Sequence, residues 1–310
     1  MRKATRRRPV RRSKKTTKVT LGSLLGAFIL AGLSYFSPQW LPDSDALRNN
    51  AMATPVHTQV NSALTVHFID VGQADAILIQ SGAEAMIIDA GNNADAKLVT
   101  DYLQQQGITH LKYAIGTHAH EDHIGSLDAV LYSFDVETAM LPQRTLDSKT
   151  YNDVIQAIET TQTPLIHPQA GDIFTLGEDQ FMILGPLSEE YSEVNNSSIV
   201  LRYVHGQTSI LFTGDMQAQS EKDMLTSYAN VQADILKAPH HGSETSSTHA
   251  FLEAVNPQDV IISVGLNNDY DLPSEEVLKR YERMGISIYR TDQLGTILIE
   301  SDGVNYTIHN

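Results

Sequence analysis

Three histidines and two acidic residues lie within six positions of this chain, at residues 118–123 (HAHEDH). Neutral imidazole and carboxylate groups are ordinary ligands of zinc and similar ions. The preceding residues predict a short buried strand that ends in a turn, and so polar a run is costly to bury without partners. On an extended loop His118 and His120 point the same way, while Asp122 and His123 are placed to face a second ion. We therefore predict a metal site here rather than a solvated loop.

Five further motifs follow this pattern along the chain: residues 68–76 (FIDVGQADA), 88–91 (IDAG), 195–201 (NNSSIVL), 211–215 (LFTGD) and 236–243 (LKAPHHGS). Together with the histidine run they resemble the signature of the metallo-β-lactamase superfamily, and most closely the hydrolase domain of ComEC-type competence proteins. The resemblance covers about residues 64–310. It implies an α/β fold, a four-layer αββα sandwich with metal-binding loops along one edge, and it is less specific for the substrate.

The resemblance also implies a ligand set for two divalent ions, Zn or Mn: His118, His120, Asp122, His123, Asp215, His240 and His241. Asp215 is expected to bridge the ions, and Asp122 to bind one of them and orient the nucleophile. Adjacent side chains usually diverge, so we expect only one of His240 and His241 to be a ligand. The other would bind a substrate phosphate or donate a proton to the leaving group. The sequence leaves that choice open, and Asp122 and His241 are the predicted catalytic residues.

Other residues are predicted to support the ligands from behind: Asp70, Asp89, Asn196, Ser198 and Ser243. In the resembling family, Asp70 and Asp89 hydrogen-bond to the histidine loop, and Ser243 is suited to orient a histidine. The asparagine-rich run at 195–198 stands where many superfamily members supply another histidine ligand. Leu272 stands where the family usually has a histidine before a proline, so a polar group near the site is missing.

The elements around these motifs alternate between strands and helices, which predicts a layered α/β domain. Each predicted ligand cluster follows a short apolar strand. The predicted helices cover residues 94–106, 124–134, 151–161, 217–228, 248–254 and 274–284. The predicted strands cover residues 64–69, 76–80, 85–88, 172–176, 180–184, 197–204, 208–212, 233–237, 260–264, 286–289 and 295–299. The sequence does not order these strands into sheets.

The N-terminal region differs in composition from the rest. Residues 1–18 contain 10 of the 22 Lys and Arg residues and no acid, which predicts a basic cytoplasmic arm. Residues 19–42 carry no charge and are long enough to span a bilayer. We favour an uncleaved membrane anchor over a cleaved signal peptide, because the small-residue site at 51–53 lies well beyond the apolar run. Residues 43–63 are predicted to form a polar tether. The predicted hydrolase domain follows at residues 64–310.

The charge of the remaining chain limits its partners. Residues 19–310 contain 12 basic and 37 acidic residues, a formal charge of −25. So acidic a body repels polyanions at long range, which disfavours a tight DNA-binding groove. The chain has no cysteine, which excludes thiolate ligands and a cysteine nucleophile.

Three functional hypotheses follow. The first is an exported, membrane-anchored phosphodiesterase or nuclease that uses a metal-activated water, with its catalytic domain outside the cytoplasmic membrane, or secreted if the segment is cleaved. The second is a hydrolase of a smaller envelope or extracellular ester, such as a phosphocholine ester or a lactone, which the acidic body favours. The third is a non-catalytic partner module of a competence or envelope complex. Nothing in the sequence points to a particular protein partner.

Overall fold

The computed structural model describes residues 64–227 and 229–310, which form fifteen strands and eight α-helices. The strands are β1 (Leu64–Phe68), β2 (Ala76–Ser81), β3 (Glu84–Ala90), β4 (His110–Ile115), β5 (Asp135–Met140), β6 (Leu165–Ile166), β7 (Ile173–Leu176), β8 (Asp179–Gly185), β9 (Val200–His205), β10 (Thr208–Phe212), β11 (Ile235–Lys237), β12 (Asp259–Ile262), β13 (Ser287–Arg290), β14 (Ile297–Ser301) and β15 (Tyr306–His309). The helices are α1 (Ala96–Gln105), α2 (Glu121–Ile124), α3 (Leu127–Ser133), α4 (Lys149–Thr161), α5 (Ala218–Thr226), α6 (His249–Val255), α7 (Glu275–Met284) and α8 (Thr291–Leu294).

The first sheet has eight strands in the order β15-β14-β1-β2-β3-β4-β5-β6. Strands β3 to β6 are parallel to one another, whereas β1, β2, β14 and β15 pair antiparallel. Parallel neighbours need crossover connections, and these contain α1 to α4. The carboxyl ends of β3 to β6 therefore meet at one edge of the sheet, and the histidine loop follows β4 at this edge.

The second sheet has seven strands in the order β13-β12-β11-β10-β9-β8-β7. Strands β10 to β13 run parallel. Strand β9 is antiparallel to both β8 and β10, so β8 runs in the same direction as β10. The loops after β8, β10, β11 and β12 consequently lie at one edge, where the predicted ligands Asp215, His240 and His241 also lie.

Three apolar clusters hold the layers together. The middle cluster lies between the two sheets and includes the stacked rings of Phe68 and Phe212. A second cluster packs α1, α3 and α4 on the outer face of the first sheet, and a third packs α5, α6 and α7 on the second. The predicted α/β sandwich, with helices outside two sheets, is confirmed.

Most predicted elements are present, with shifts of a few residues at their ends. Strands β5, β6 and β15 were not predicted; they are short or carry charged residues, and they become strands by pairing with a neighbour. The helix predicted at 124–134 is instead divided into α2 and α3, which are separated by Gly125 and Ser126.

The predicted basic arm at 1–18, membrane segment at 19–42 and tether at 43–63 lie outside the described residues. Across the two described ranges, no helix combines the length and apolar character needed to cross a bilayer.

Candidate metal centre

The histidine loop begins where β4 ends. His118 is fully buried, and its Nε2 lies 3.0 Å from Nδ1 of His120. His120 is the N-cap of α2, and His123 lies within that helix, also fully buried. One turn of helix therefore brings His123 back beside His118, with ring centroids 4.2 Å apart. The loop gathers the three imidazoles as predicted.

Asp89 supports this loop from the neighbouring strand β3. Its Oδ1 accepts a hydrogen bond from the Thr117 backbone N–H at 2.7 Å, and its Oδ2 accepts one from the Thr117 hydroxyl at 2.8 Å. The same Oδ2 lies 2.7 Å from Nδ1 of His123. Because Asp89 engages Nδ1, the Nε2 atom of His123 points the other way, into the site.

Asp215 follows β10 through Gly214, whose φ of +49° favours glycine. A Cβ on Gly214 would lie 2.9 Å from side-chain atoms of Thr117 and Ser198, so the close approach also requires glycine. The Asp215 backbone N–H donates to Ser198 Oγ at 3.0 Å. Ser198, a predicted supporting residue, thus fixes the position of Asp215.

The two carboxylate oxygens of Asp215 face different histidines. Oδ1 lies 3.2 Å from Nε2 of His123 and 3.6 Å from Nε2 of His241. Oδ2 lies 4.0 Å from Nε2 of His118 and 3.7 Å from Nε2 of His240. The carboxylate therefore stands between two groups of nitrogen donors.

His240 and His241 do not diverge as the sequence suggested. Both residues have left-handed backbone conformations, with φ of 50° and 52°, and this unusual turn directs both Nε2 atoms toward Asp215. Their Nδ1 atoms have different partners. Nδ1 of His241 lies 2.8 Å from the Ser263 carbonyl oxygen, and Nδ1 of His240 lies 3.0 Å from Thr245 Oγ1. His241 is fully buried, whereas His240 is partly exposed to the cleft.

Asp122 completes the ring of donors. Its Oδ2 lies 3.3 Å from Nε2 of His241 and 3.7 Å from Nε2 of His123. Both this carboxylate and Asp215 line the cleft, but Asp122 is 32% exposed and Asp215 only 3%. Asp122 is thus the acid of this group that solvent and substrate reach.

The electrostatics of the site favour a cation beside Asp215. Burial acts to lower the pKa of His123, but attraction by Asp215, Asp89 and Asp122 outweighs it and holds that pKa well above its ordinary value. Burial acts to raise the pKa of Asp215, yet attraction by His123 and His241 holds it well below its ordinary range. Burial, with repulsion from His123, lowers the pKa of His118 well below the ordinary value.

The donor atoms fit a metal. Nε2 of His123 and Oδ1 of Asp215 are both buried, and neither has a hydrogen-bond partner among the described residues. Buried polar atoms are seldom left unpaired in native proteins. A divalent ion with nitrogen and oxygen ligands satisfies both atoms, and these residue types are its ordinary ligands.

A buried ion pair lies behind the donors. Lys237 Nζ is 2.8 Å from Asp75 Oδ2, and both side chains are about 1% exposed. Asp75 is close enough to His123, Asp215 and His241 to complete a four-residue cluster. However, Asp75 Oδ2 lies 3.8 Å from Nδ1 of His123, on the side opposite Nε2, and is already neutralised by Lys237. We therefore assign Asp75 to the support of the site, with Lys237 as its partner.

Three predicted supporting residues have other contacts. Asp70 accepts a hydrogen bond from the Gly72 N–H, which is a turn role, and no described contact joins it to the histidine loop. Asn196 Oδ1 accepts from the N–H groups of Gln217 and Ser220 and so holds the start of α5. Ser243 Oγ contacts Thr245, which in turn contacts His240. Ser243 is therefore one residue further from the ring than expected.

Sequence reasoning missed two residues beside the ligands, Asp75 and Asn195. Asn195 Nδ2 lies 3.2 Å from Nε2 of His240, so the first asparagine of the pair faces the site and the second does not. Both missed residues lie inside recognised motifs, and their position there was the only available signal. Which of two adjacent side chains faces inward depends on the local 3₁₀ turn at Val194–Ser197.

The donors line one side of an open cleft of about 500 Å³. Its lining residues are Gln73, Asn92, His120, Glu121, Asp122, Asn195, Asp215, His240, His241, Tyr270 and Leu272. Leu272 does reach this cleft, so an apolar side chain stands where the family resemblance leads one to expect histidine. The cleft is large enough to admit a small ester or one part of a larger substrate.

A family comparison agrees with this geometry. The model of the Metallo-beta-lactamase superfamily matches residues 69–265. The chain belongs to the metallo-β-lactamase superfamily. The fold and the superfamily motifs predicted from the sequence are therefore confirmed.

The similarity to individual relatives points to one branch of the superfamily. The chain is 30% identical to ComE operon protein 3 of Bacillus subtilis (strain 168) over 260 residues, covering 78% of this chain and 34% of that protein. It is 28% identical to Competence protein ComA of Neisseria gonorrhoeae over 271 residues, covering 87% of this chain and 34% of that protein. These matches confirm the resemblance to the ComEC-type branch, although the chain spans only about a third of the length of these relatives.

Among solved structures, the fold is similar to that of Igni18, a metallo hydrolase from Ignicoccus hospitalis KIN4/I. The TM-score is 0.52 at 14% identity, and the match covers 76% of this chain and 98% of that one. At this identity the similarity concerns the fold alone.

Proposed function

We propose that this superfamily member is a metal-dependent hydrolase of phosphodiester bonds. The observation that carries the proposal is the division of donors around Asp215. One carboxylate oxygen faces His123 and His241, and the other faces His118 and His240, at the side of an open cleft. A carboxylate between two sets of nitrogen donors is suited to bridge two divalent ions.

The ligand sets follow from these distances. His118 and His240 face Oδ2 of Asp215 and His120 contacts His118, so these three would hold one ion. His123 and His241 face Oδ1 and Asp122 lies beside both, so these three would hold the other. Nitrogen and oxygen donors without thiolate accept Zn or Mn. When bound in such a site, divalent ions make hydroxide available near neutral pH and stabilise charge on a phosphoryl group.

The protein's own side chains contribute orientation. Asp122 is accessible from the cleft, so its carboxylate is placed to accept a hydrogen bond from the attacking water and thereby orient it. Asn195 and the exposed edge of His240 lie together beside Asp215, so they are suited to contact the phosphoryl oxygens or the leaving group. The backbone turn at His240 holds this edge in place before substrate binds, which reduces the entropic cost of orientation.

We further propose that the apolar segment at 19–42 anchors the protein and that the catalytic domain faces outward. The basic arm at 1–18 supports this orientation. One relative is named a competence protein, which supports a substrate that is related to nucleic acid. The −25 charge of residues 19–310 favours short substrates over long duplex DNA.

The test uses the 310-residue chain in detergent with bis(p-nitrophenyl) phosphate as substrate. Chelation should abolish hydrolysis, and Zn or Mn should restore it. The double variant His118→Ala, His120→Ala should lose at least one bound ion, and Asp215→Ala should weaken retention of both. We expect each variant to lose more than about 100-fold in rate, since changes behind the ligands already cost about 10–100-fold.

Asp70→Asn is the matched control, because Asp70 contacts a turn and not the donors, and it should keep both metal content and rate. Full metal content in Asp215→Ala would contradict the ligand assignment. Hydrolysis of a lactone or phosphocholine ester, without any phosphodiester cleavage, would support the smaller-ester hypothesis instead.

A further inference from the structure

A second, smaller cleft lies on the other side of the 3₁₀ turn that carries Asn195. It has a volume of about 220 Å³ and is lined by Gln143, Arg144, Pro168, Gln169, Ala170, Pro186, Leu187, Ser188, Glu189 and Ser197. These residues belong to the loops after β5, β6 and β8 and to the 3₁₀ turn at Val194–Ser197. The loops after β5 and β6 leave the same sheet edge as the histidine loop. We refer to this space as the Arg144 cleft.

The 3₁₀ turn joins the two clefts. Asn195 lines the metal cleft, and Ser197, two residues later, lines the Arg144 cleft. Consecutive Cα atoms are about 3.8 Å apart, so the Cα atoms of these two residues lie within about 7.6 Å of each other. The two clefts therefore have this short turn as a common wall.

Arg144 is the one Lys or Arg side chain, among the described residues, that lines either cleft. Most other described cations pair with acids, as Lys237 does with Asp75 and Arg290 with Asp292. No described carboxylate lies within ion-pair distance of Arg144. A guanidinium without a partner carries five N–H donors in the planar arrangement that matches a phosphate group.

Ser197 supplies an independent observation. The residue is 1% exposed, and its Oγ has no hydrogen-bond partner among the described residues. A buried hydroxyl without a partner is uncommon, and Ser197 stands in the wall of the cleft, where rotation of its side chain would bring the hydroxyl to a ligand oxygen. Gln143 and Gln169 add amide groups to the same lining. The one acid of the lining, Glu189, is exposed, so its charge is screened by water.

We propose that the Arg144 cleft binds a second phosphate group of the substrate, next to the phosphodiester that is cleaved. The inference rests on the proposed phosphodiesterase function and narrows its substrate class to compounds with two neighbouring phosphates, such as a short oligonucleotide. The volume is below the range of about 300–1,000 Å³ typical of whole-ligand pockets, which suits one phosphate with part of its sugar.

The test compares two substrates of the 310-residue chain in detergent. Bis(p-nitrophenyl) phosphate has one phosphate, whereas dithymidine with a 5′-phosphate has a second one beside the scissile bond. We expect Arg144→Ala to lower kcat/KM for the dinucleotide about tenfold more than for the single-phosphate ester, mainly through KM. This is the order expected for one charge-assisted contact. Arg144→Lys should recover part of the loss, since it keeps charge but not the planar donor arrangement.

Arg283→Ala is the matched control, because Arg283 is exposed at the end of α7 and lines neither cleft. It removes the same charge and should alter both substrates by less than about twofold. Equal losses on the two substrates for Arg144→Ala, or no loss on either, would overturn the proposal.

A binding measurement separates this proposal from the proposed function. Fluorescein-labelled dinucleotide is titrated with chelated protein, so no hydrolysis is needed. Weaker binding by Arg144→Ala than by Arg283→Ala supports the cleft even if wild-type protein cleaves neither substrate, in which case the phosphodiesterase proposal alone fails. Identical affinities of the two variants would refute the cleft as a phosphate site.

Discussion

At the scale of single residues, the site depends on how buried charges are paired. Asp215 and His123 face each other without a hydrogen bond, and a cation between them is the simplest way to satisfy both. Behind them, Lys237 neutralises Asp75 at 2.8 Å in a fully buried ion pair. This pair lies next to Nδ1 of His123, so it contributes to the environment of a ligand without being one.

Lys237→Met should destabilise the protein strongly, because it leaves the Asp75 carboxylate buried without its partner. Removing one member of a buried pair costs about 3–5 kcal/mol. The free energy of unfolding, measured in urea with metal bound and with metal removed, provides the test. Asp75→Asn combined with Lys237→Met should recover most of the loss, since neither charge is then left alone.

Lys279→Met serves as the control for that experiment. It breaks an exposed pair with Glu275 on α7, and exposed pairs contribute little to stability. If Lys237→Met were no more damaging than Lys279→Met, the buried pair would have no structural role.

At the scale of elements, the short helix α2 is fixed by close packing. A Cβ on Gly125, just after α2, would lie 2.3 Å from backbone atoms of Asn92 and Asn93. The backbone of Gly125 is ordinary, with φ of −56°, so the requirement for glycine here is purely steric. This contact sets the distance between α2, which carries His123, and the turn after β3.

Gly125→Ala should therefore push α2 away from that turn and reduce metal retention. Overpacking typically costs about 1–3 kcal/mol, and here the displaced element carries a ligand. Gly107→Ala is the control: its φ of +76° strains an alanine, at about 1 kcal/mol, but nothing lies near the added Cβ. Metal analysis after dialysis should show a deficit in Gly125→Ala only; equal metal content in both variants would argue against this role for the packing.

A separate polar network ties β2, β8 and β9 together away from the metal centre. Asp179 accepts hydrogen bonds from Ser81 Oγ at 2.6 Å and Tyr203 OH at 2.7 Å, and it lies 2.8 Å from Nδ1 of His205. Burial acts to raise the pKa of Asp179, but the hydrogen bonds from His205, Ser81 and Tyr203 outweigh it and lower that pKa.

Asp179→Asn should consequently lower the free energy of unfolding at pH 7 by about 2 kcal/mol, the order of a hydrogen bond to a charged group. A carboxyl with a depressed pKa in the folded state stabilises above its unfolded pKa of about 3.9 and loses that contribution as pH falls through its folded pKa. The difference between wild type and variant should thus shrink below about pH 4. Urea unfolding at several pH values measures the difference in free energy of unfolding between wild type and Asp179→Asn. A difference that does not change with pH would exclude this explanation.

At the scale of the whole molecule, charge is divided between a basic arm and an acidic body. The ten basic residues of 1–18 precede an uncharged segment, and the 37 acidic residues all lie beyond it. Such asymmetry around one apolar segment favours retention of the arm in the cytoplasm and export of the body.

A reporter fused after Asn310 tests this topology in a bacterial host. Alkaline phosphatase, which works only outside the cytoplasm, should be active in the fusion, and removal of residues 1–42 should abolish that activity. A phosphatase fusion that is produced at full length but is inactive would contradict the orientation. Release of a soluble form that begins near Ala53 would indicate a cleaved signal peptide rather than an anchor.

The motifs of the sequence were sufficient for the superfamily, and the sandwich of two sheets with outer helices was predicted only through the resemblance that these motifs carry. The clustering of the histidine loop depends on a local pattern, because a short apolar strand is followed at once by polar ligand types. Strand β5 escaped detection, since Asp135 and Glu137 have low strand propensity and the segment becomes a strand only through pairing with β4 and β6.

Only the tertiary structure decided which side chains meet. Adjacent residues His240 and His241 both reach Asp215 because two successive left-handed backbone conformations turn them to one side. Asp75 and Lys237 are far apart in the chain and become partners only when β11 is placed against the loop after β1. Residue type determines which contacts are chemically possible, whereas backbone torsions and sheet pairing, which depend on distant parts of the chain, select the ones that form.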